Sequence, residues 1–142
     1  MATIRKFEDL EIWQLARELN LEIFPILEKL HELRMFELKN QLERSAGSVM
    51  DNIAEGYERD GTREFIQFLA ISKGSLGEVR SQLYRAMDRK VIDAERNNYL
   101  QEKCLTLASK IAKFITYLNN SDMRGNKFKK DSKLQIISSK DL

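Results

Sequence analysis

Cysteine, histidine and proline are almost absent from this sequence, which has one of each among 142 residues. The single cysteine, Cys104, excludes an internal disulfide and a cysteine zinc site, and its place on an apolar helical face is typical of a buried, inert thiol. The single histidine, His31, excludes the di-iron centre of some helical bundles, which needs a Glu-x-x-His pair on each of two helices. It also leaves little basis for a Ser-His-Asp triad. We therefore expect no enzyme activity, no cofactor and no metal site.

Glycine is also scarce, with six residues, and the sequence has no long apolar run. So few glycines and prolines argue against a turn-rich β fold and favour long helices. No segment approaches the roughly 18 apolar residues of a membrane span, and the first residues lack the apolar core of a signal peptide. We expect a cytoplasmic protein without membrane contact. The chain length and a hydrophobic content of 42% predict one domain with a sizeable core.

Apolar residues recur at helical spacing in four segments of the chain. The predicted helices cover about residues 9–31, 33–55, 63–89 and 94–119. Four helices with short connections predict an all-α fold, an antiparallel up-down-up-down four-helix bundle over residues 1–120. Residues 121–142 show little periodicity, so we expect them to form a basic, disordered C-terminal tail.

Several residues should mark the ends of these helices or interrupt them. Gly56 is expected just past the end of the second helix, Thr62 should cap the third, and Asp93 should cap the fourth. Pro25 lies inside the first helix, where it should kink the helix or, alternatively, break it.

The first helix carries a second apolar patch, opposite its core face. The patch consists of Leu10, Trp13, Leu21 and Phe24. A helix in a monomeric bundle needs only one apolar stripe, so the patch predicts a subunit interface. The alternative is that the N-terminal Phe7 segment or the tail folds over it. Gly74 and Gly77, inside the third helix, are explained if another backbone approaches closely there, which also indicates a packed second face.

The second helix carries a narrow polar stripe that differs from a solvated face rich in lysine and glutamate. It consists of Gln41, Arg44, Ser48, Asn52 and Glu55. Such a mixture suits hydrogen bonds to another helix, a subunit or a ligand. Apart from Arg44, we expect this stripe, with Ser75 and Glu78 of the third helix, to hold helices or subunits in register. A catalytic carboxylate pair of Glu55 and Glu78 is the weaker alternative.

Basic residues are dispersed, and the charge is unevenly spread. Residues 121–142 carry six basic and three acidic side chains, whereas the whole chain has a net charge of +2. The candidate phosphate-binding residues are Arg44, Arg59, Arg63 and Lys73 in the bundle and Lys127, Lys129 and Lys130 in the tail. In an oligomer, a weak basic rim would repeat and become an effective nucleic-acid surface. The alternative is that these cations are solvated helix ends.

Several motifs, in order and at matching spacing, resemble those of a known family. They are Phe7-Glu8-Asp9-Leu10-Glu11-Ile12-Trp13-Gln14, Gln41-Leu42-Glu43-Arg44-Ser45-Ala46 with Ser48, Asn52-Ile53-Ala54-Glu55-Gly56, Glu64-Phe65-Ile66-Gln67-Phe68-Leu69 and Gly74-Ser75-Leu76-Gly77-Glu78. With them, residues 7–118 resemble the small bacterial four-helix bundle proteins known as 23S rRNA-intervening sequence proteins. Two features depart from the family pattern: the only proline is Pro25 rather than one near His31, and the tail has no counterpart.

The resemblance implies an antiparallel four-helix bundle that assembles into a ring-like homopentamer. In some members, the gene lies in an insertion within the large ribosomal RNA gene. The family is also similar to the accessory proteins of diversity-generating retroelements, basic pentamers that act with a reverse transcriptase and nucleic acid. No enzyme activity comes with the resemblance.

Two functional hypotheses follow. The first is a non-enzymatic, homo-oligomeric protein that binds RNA or another nucleic acid. The second is a protein-interaction adaptor or scaffold that binds a partner protein and never touches nucleic acid. RNA binding should weaken steeply with salt because counterions are released, whereas adaptor binding should depend on salt less.

Overall fold

The structure, a computed structural model, describes residues 3–124. A short 3-10 turn at Phe7–Asp9 precedes four helices: α1 at Glu11–Glu32, α2 at Phe36–Glu58, α3 at Thr62–Asp88 and α4 at Ala94–Arg124. Each of α1 and α3 packs against both α2 and α4, so the helices form a closed four-membered bundle in chain order. The predicted all-α fold is confirmed.

Side-chain contacts pair the early residues of each helix with the late residues of its neighbour, as antiparallel packing requires. Between α1 and α2, Asn20 contacts Ala46 and His31 contacts Lys39, and between α2 and α3, Gln41 contacts Arg85 and Ser48 contacts Ser75. Between α3 and α4, Arg80 contacts Gln101 and Phe65 contacts Phe114. Between α1 and α4, Glu11 contacts Lys110 and Glu22 contacts Arg96. The order of these pairs makes every neighbouring helix antiparallel to the next.

The core is built from one apolar stripe on each helix, at the spacing of three and four residues that the sequence shows. Phe65 of α3 and Phe114 of α4 are both fully buried, and their ring centroids lie 5.4 Å apart in an edge-to-face arrangement. Cys104 is fully buried on the same face of α4. Its predicted place in the core is confirmed.

The N-terminal segment covers one end of the second apolar patch. Leu10 precedes α1 and is completely buried, so its predicted position on an outer helical face is wrong. The ring of Phe7 packs edge-on against Trp13 at 5.1 Å between centroids. Leu21 and Phe24, further along α1, remain 65% and 56% exposed. The Phe7 segment thus accounts for Trp13 but leaves the other half of the patch open.

The turn between α1 and α2 explains why α2 begins three residues later than predicted. The amide of Met35 donates to the carbonyl of Leu30 at 2.9 Å, and Arg34 takes a left-handed φ of 59°. This closure is a Schellman motif, which uses the residues between α1 and α2 to satisfy the last carbonyls of α1. Lys90, with φ of 62°, closes α3 in the same way.

Three predicted helix ends are wrong. Gly56 lies inside α2 and not past its end, because α2 continues to Glu58. Thr62 is the first residue of α3, where Gly61 occupies the N-cap position without a side-chain cap. Helix α4 runs to Arg124 rather than to residue 119, because asparagine and serine lower helix propensity only slightly and no glycine or proline intervenes before Gly125.

Two other predictions on helix geometry have a clear outcome. Asp93 does cap α4, since its Oδ1 accepts a hydrogen bond from the amide of Arg96 at 2.7 Å. Helix α1 is continuous through Pro25, so the alternative of a break is wrong. Pro25 is exposed, which allows water to bind the carbonyl of Leu21 that the missing proline N–H would have engaged.

Candidate functional site

Polar side chains line the contact between α2 and α3, and we call them the polar seam. Arg85 Nη1 donates to Gln41 Oε1 at 2.7 Å, and the hydroxyls of Ser48 and Ser75 are 2.8 Å apart. Two further bonds join the helices: the Ser45 hydroxyl donates to Gln82 Oε1, and the Ser72 hydroxyl donates to the carbonyl of Val49 at 2.7 Å. The seam therefore fixes the register of α2 against α3 between residues 41–49 of α2 and residues 72–85 of α3.

The structure places the predicted seam residues in three different roles. Gln41, Ser48 and Ser75 bridge the two helices. Asn52 bonds within α2, where its Nδ2 donates to the carbonyl and the hydroxyl of Ser48, each at 2.8 Å, and so orients that hydroxyl. Glu55 is exposed and makes an ion pair with Arg59 at 2.8 Å, one turn further along α2.

Glu78 is exposed on α3 and does not approach Glu55. Since Ser48 faces Ser75, the two carboxylates are separated by seven residues of α2 and three of α3, about 15 Å along the bundle axis. A general acid and base acting on one substrate need a much closer arrangement. The alternative of a catalytic carboxylate pair is therefore wrong.

Sequence reasoning missed four seam residues: Ser45, Ser72 and Gln82, which are buried, and Arg85, which is half-buried. Ser72 lies on the apolar face of α3, between the buried Leu69 and Leu76. Gln82 follows Ser75 by seven residues, two helical turns on the same face, and this spacing is the signal that could have identified it.

Gly56 lies beyond the seam, two turns further along α2 than Val49, and packs directly against α3. A Cβ added there would lie 2.7 Å from Phe68 Cβ and 2.9 Å from Phe65 Cδ1. Gly56 thus lets two aromatic residues of α3 pack directly on the α2 backbone. Its presence in the motif reflects this close approach and not a left-handed helix end.

The glycines of α3 behave differently. A Cβ added at Gly74 or Gly77 would meet no atom within 4 Å. Both glycines are exposed on the outer face of α3, near the exposed side chains of Ile71 and Tyr84. Within the described chain, the predicted close approach of another backbone at these glycines is therefore absent.

The four candidate cations of the bundle do not form one cluster. Arg44, Arg63 and Lys73 are exposed on α2 and α3. Arg44 lies on α2 and Arg59 directly after its end, fifteen residues away, which is about 22 Å along the helix. The other three candidates, Lys127, Lys129 and Lys130, lie outside the described residues. The cations of the bundle are therefore spread over the outer surface of α2 and α3 instead of converging on one point, and Lys73, seven residues before Arg80, lies on the side of α3 that faces α4.

Arg59 is held in a defined position at the α2–α3 loop. Its guanidinium pairs with Glu55 at 2.8 Å and approaches Glu64 at 3.8 Å. It also stacks over the ring of Phe68 at 5.0 Å. Two carboxylates already neutralise this arginine, which makes it a weaker phosphate ligand than the sequence suggests.

Titratable groups in the core are kept neutral by burial. Burial raises the pKa of the Cys104 thiol to about 12, which removes the thiolate that a nucleophile would need. Burial, with the neighbouring charge of Glu58, also raises the pKa of Tyr57.

In residues 3–124, no three side chains of histidine, cysteine, aspartate or glutamate are grouped as metal ligands would be. Over the same range, no helix combines the length and apolar character that crossing a bilayer requires.

Together these observations define an antiparallel four-helix bundle protein whose central polar motif joins its own helices. The sequence model for the 23S rRNA-intervening sequence protein matches residues 8–113, and the chain belongs to that family. Its fold is similar to the crystal structure of a protein of unknown function from the S23 ribosomal protein family of Bacteroides thetaiotaomicron. The similarity has a TM-score of 0.69 at 20% identity and covers 73% of this chain and 97% of that one. No curated protein matches the sequence.

Proposed function

We propose that this chain is a cytoplasmic, non-enzymatic, homo-oligomeric protein that binds RNA along the outer edge of α2 and α3. The observation that carries the proposal is the display of Arg44, Arg63 and Lys73, all exposed, on two helices that the polar seam holds in fixed register. Cations on a rigid support lose little entropy on meeting phosphates. The association of the family with ribosomal RNA, which its name states, makes RNA the polyanion to test first.

The same proposal includes self-assembly, because two separate faces of the bundle expose apolar side chains. On α1 these are Leu21 and Phe24, and on α3 they are Ile71 and Tyr84, at 52% and 45% exposure. Helices α1 and α3 are not neighbours in the bundle, so the two faces look away from each other. Contact of one face with the other, on a second copy, is heterologous and can close into a ring. The pentamer that the family resemblance implies is the ring size we propose.

Assembly would compensate for the modest charge of the single bundle. Each copy would add its own α2–α3 edge to the ring, so that several weak phosphate contacts act on one RNA. The net charge of +2 for a whole chain is therefore compatible with RNA binding by the oligomer.

The test compares two triple variants with equal charge changes. One replaces Arg44, Arg63 and Lys73 by glutamine, and the control replaces the exposed Lys29, Lys103 and Lys113 by glutamine. We expect the first variant alone to lose RNA affinity and to lower the slope of log K against log salt by about 2, since each lost phosphate contact on a single strand contributes about 0.7. Fluorescence anisotropy with a labelled RNA over a salt series measures both quantities.

Equal weakening by the two variants would show that only net charge matters and would contradict the proposed edge. Protein purified without nuclease should also carry RNA that salt removes, visible as absorbance at 260 nm in the oligomer peak. An oligomer free of RNA under these conditions, with no affinity for added RNA, would instead support the adaptor hypothesis.

A further inference from the structure

A groove between α1 and α4 has an apolar floor that no part of residues 3–124 covers. The groove has a volume of about 260 Å³. Leu15, Leu19 and Leu107 line it, and Tyr99, which is 40% exposed, stands at one end. A groove of this kind suits two or three aliphatic side chains from an extended segment.

The rim of the groove is acidic. Glu18, Glu22 and Glu102 line it, with Lys103 as the cation among the lining residues. Glu22 is paired with Arg96 at 3.5 Å, and Lys103 lies over the ring of Tyr99 at 5.3 Å. Glu18 and Glu102 are exposed, one on each side of the groove. The site therefore favours a ligand that combines aliphatic side chains with lysine.

The sequence after α4 has this composition. Lys133-Leu134-Gln135-Ile136-Ile137 places one lysine beside three aliphatic residues, and Lys129 and Lys130 come shortly before it. In an extended segment, Leu134 and Ile136 point to one side and Gln135 to the other. The aliphatic pair would face the floor while Gln135 faces water.

The length of chain between α4 and this segment matches the distance to the groove. Thr106, on the groove lining, is eighteen residues before the end of α4 at Arg124, about 27 Å along the helix. An extended chain advances about 3.3 Å per residue, so the nine residues from 125 to 133 span about 30 Å. Reaching Tyr99 takes about three residues more. Residues 133–137 are therefore the ones that come level with the groove when the chain turns back along α4.

We propose that residues 133–137 dock in the α1–α4 groove of their own chain, with Leu134 and Ile136 on the leucine floor and Lys133 between Glu18 and Glu102. A tethered segment has a high effective concentration at a site within its reach, which favours its own chain over a second copy. The family match ends at residue 113, so the docking segment is a feature of this chain beyond the shared bundle.

The test attaches a nitroxide at position 139 of the full chain through Ser139→Cys and records paramagnetic broadening of backbone amides. Cys104 stays unlabelled because it is buried and its thiol remains protonated. We expect broadening at Leu19 and Lys103 but not at Gly47 or Ser81, which lie on other helices facing away from the groove. Adding Ile136→Asp should remove the broadening, whereas Gln135→Asp, with the same new charge on the water-facing side, should retain it.

Glu18→Gln with Glu102→Gln should weaken docking about fivefold, as the loss of two exposed charge pairs implies. Glu37→Gln with Glu43→Gln, which neutralises two exposed carboxylates on α2, is the matched control. Broadening centred on another face, or equal loss with Ile136→Asp and Gln135→Asp, would overturn the proposal. The proposal would also be overturned if the amides of isotope-labelled protein were broadened only by a nitroxide on a second, unlabelled copy. The segment in the groove would then be the tail of a neighbouring chain.

Discussion

At Gly56, a single hydrogen atom in place of a side chain sets the distance between two helices. Phe65 and Phe68 of α3 occupy the space that a Cβ would need, and the carbonyl of Phe65 lies at 3.3 Å from that position. Phe65 in turn packs edge-to-face on Tyr57 and on Phe114, so the close approach links α2 to α4 through α3. One residue thereby organises the aromatic end of the core.

Gly56→Ala should lower the free energy of unfolding by about 2 kcal/mol, because the new methyl group forces α2 and α3 apart in a packed region. Gly47→Ala is the control. It lies in the same helix, and an added Cβ would come no closer than 4.0 Å to the Asp51 carboxylate. There we expect a gain of about 0.5–1 kcal/mol from better helix propensity. Urea unfolding followed by circular dichroism measures both, and a Gly56→Ala protein as stable as Gly47→Ala would refute the close approach.

The polar seam is the feature that distinguishes the α2–α3 pair at the scale of elements. Apolar attraction is non-directional, whereas hydrogen bonds between fixed positions have one matching alignment. Ser48 with Ser75 and Gln41 with Arg85 supply two such positions, ten residues apart on α3. The seam can therefore select one alignment of α2 against α3.

Ser45→Ala should destabilise the protein by about 1–3 kcal/mol, because it leaves the buried Oε1 of Gln82 without its donor. Gln82→Met should be milder, since the Ser45 hydroxyl can still donate to the carbonyl of Gln41 at 2.9 Å. The double variant should match Gln82→Met and recover most of the loss of Ser45→Ala. Chemical unfolding of the three variants and the unchanged protein completes a double-mutant cycle. Strictly additive losses in the free energy of unfolding would show that the two side chains do not interact.

At the scale of the whole molecule, the exposed apolar faces on α1 and α3 are the features that favour self-assembly, because a monomer does not need exposed apolar side chains there. The half of the α1 patch that contains Trp13 is covered by Phe7, so Trp13→Ala would disturb the N-terminal segment as well as any interface. Leu21 and Phe24 are the cleaner positions, since both are more than half exposed and their replacement leaves the core intact.

Leu21→Asp with Phe24→Asp should therefore reduce the mass in solution to the 16.6 kDa of one chain, because two carboxylates cannot be buried in an apolar contact. Gly77→Leu should have the same effect from the opposite face, as the side chain has open space in the monomer but would block a second helix. Leu105→Asp, on α4 and 47% exposed, is the control. Light scattering after size exclusion gives the masses, and an unchanged oligomer in the first two variants would contradict the proposed faces.

The local pattern of residues was sufficient for the four helices, for the stripe that each buries and for the cap of α4 by Asp93, since these depend on periodicity and on neighbours in the chain. It also placed Cys104 in the core and singled out Gln41, Ser48 and Ser75 as residues that form hydrogen bonds, but only the structure shows that their partners lie on α2 and α3. The ends of α2 and the meaning of Gly56 came only with the tertiary structure. Whether a glycine ends a helix or allows another helix to pack closely depends on which residues of that other helix lie opposite it. For Gly56 these residues are Phe65 and Phe68 of α3, which are not part of the local sequence pattern of α2. The same reason applies to Ser45 and Gln82, two residues 37 positions apart whose hydrogen bond exists only once α2 and α3 have packed.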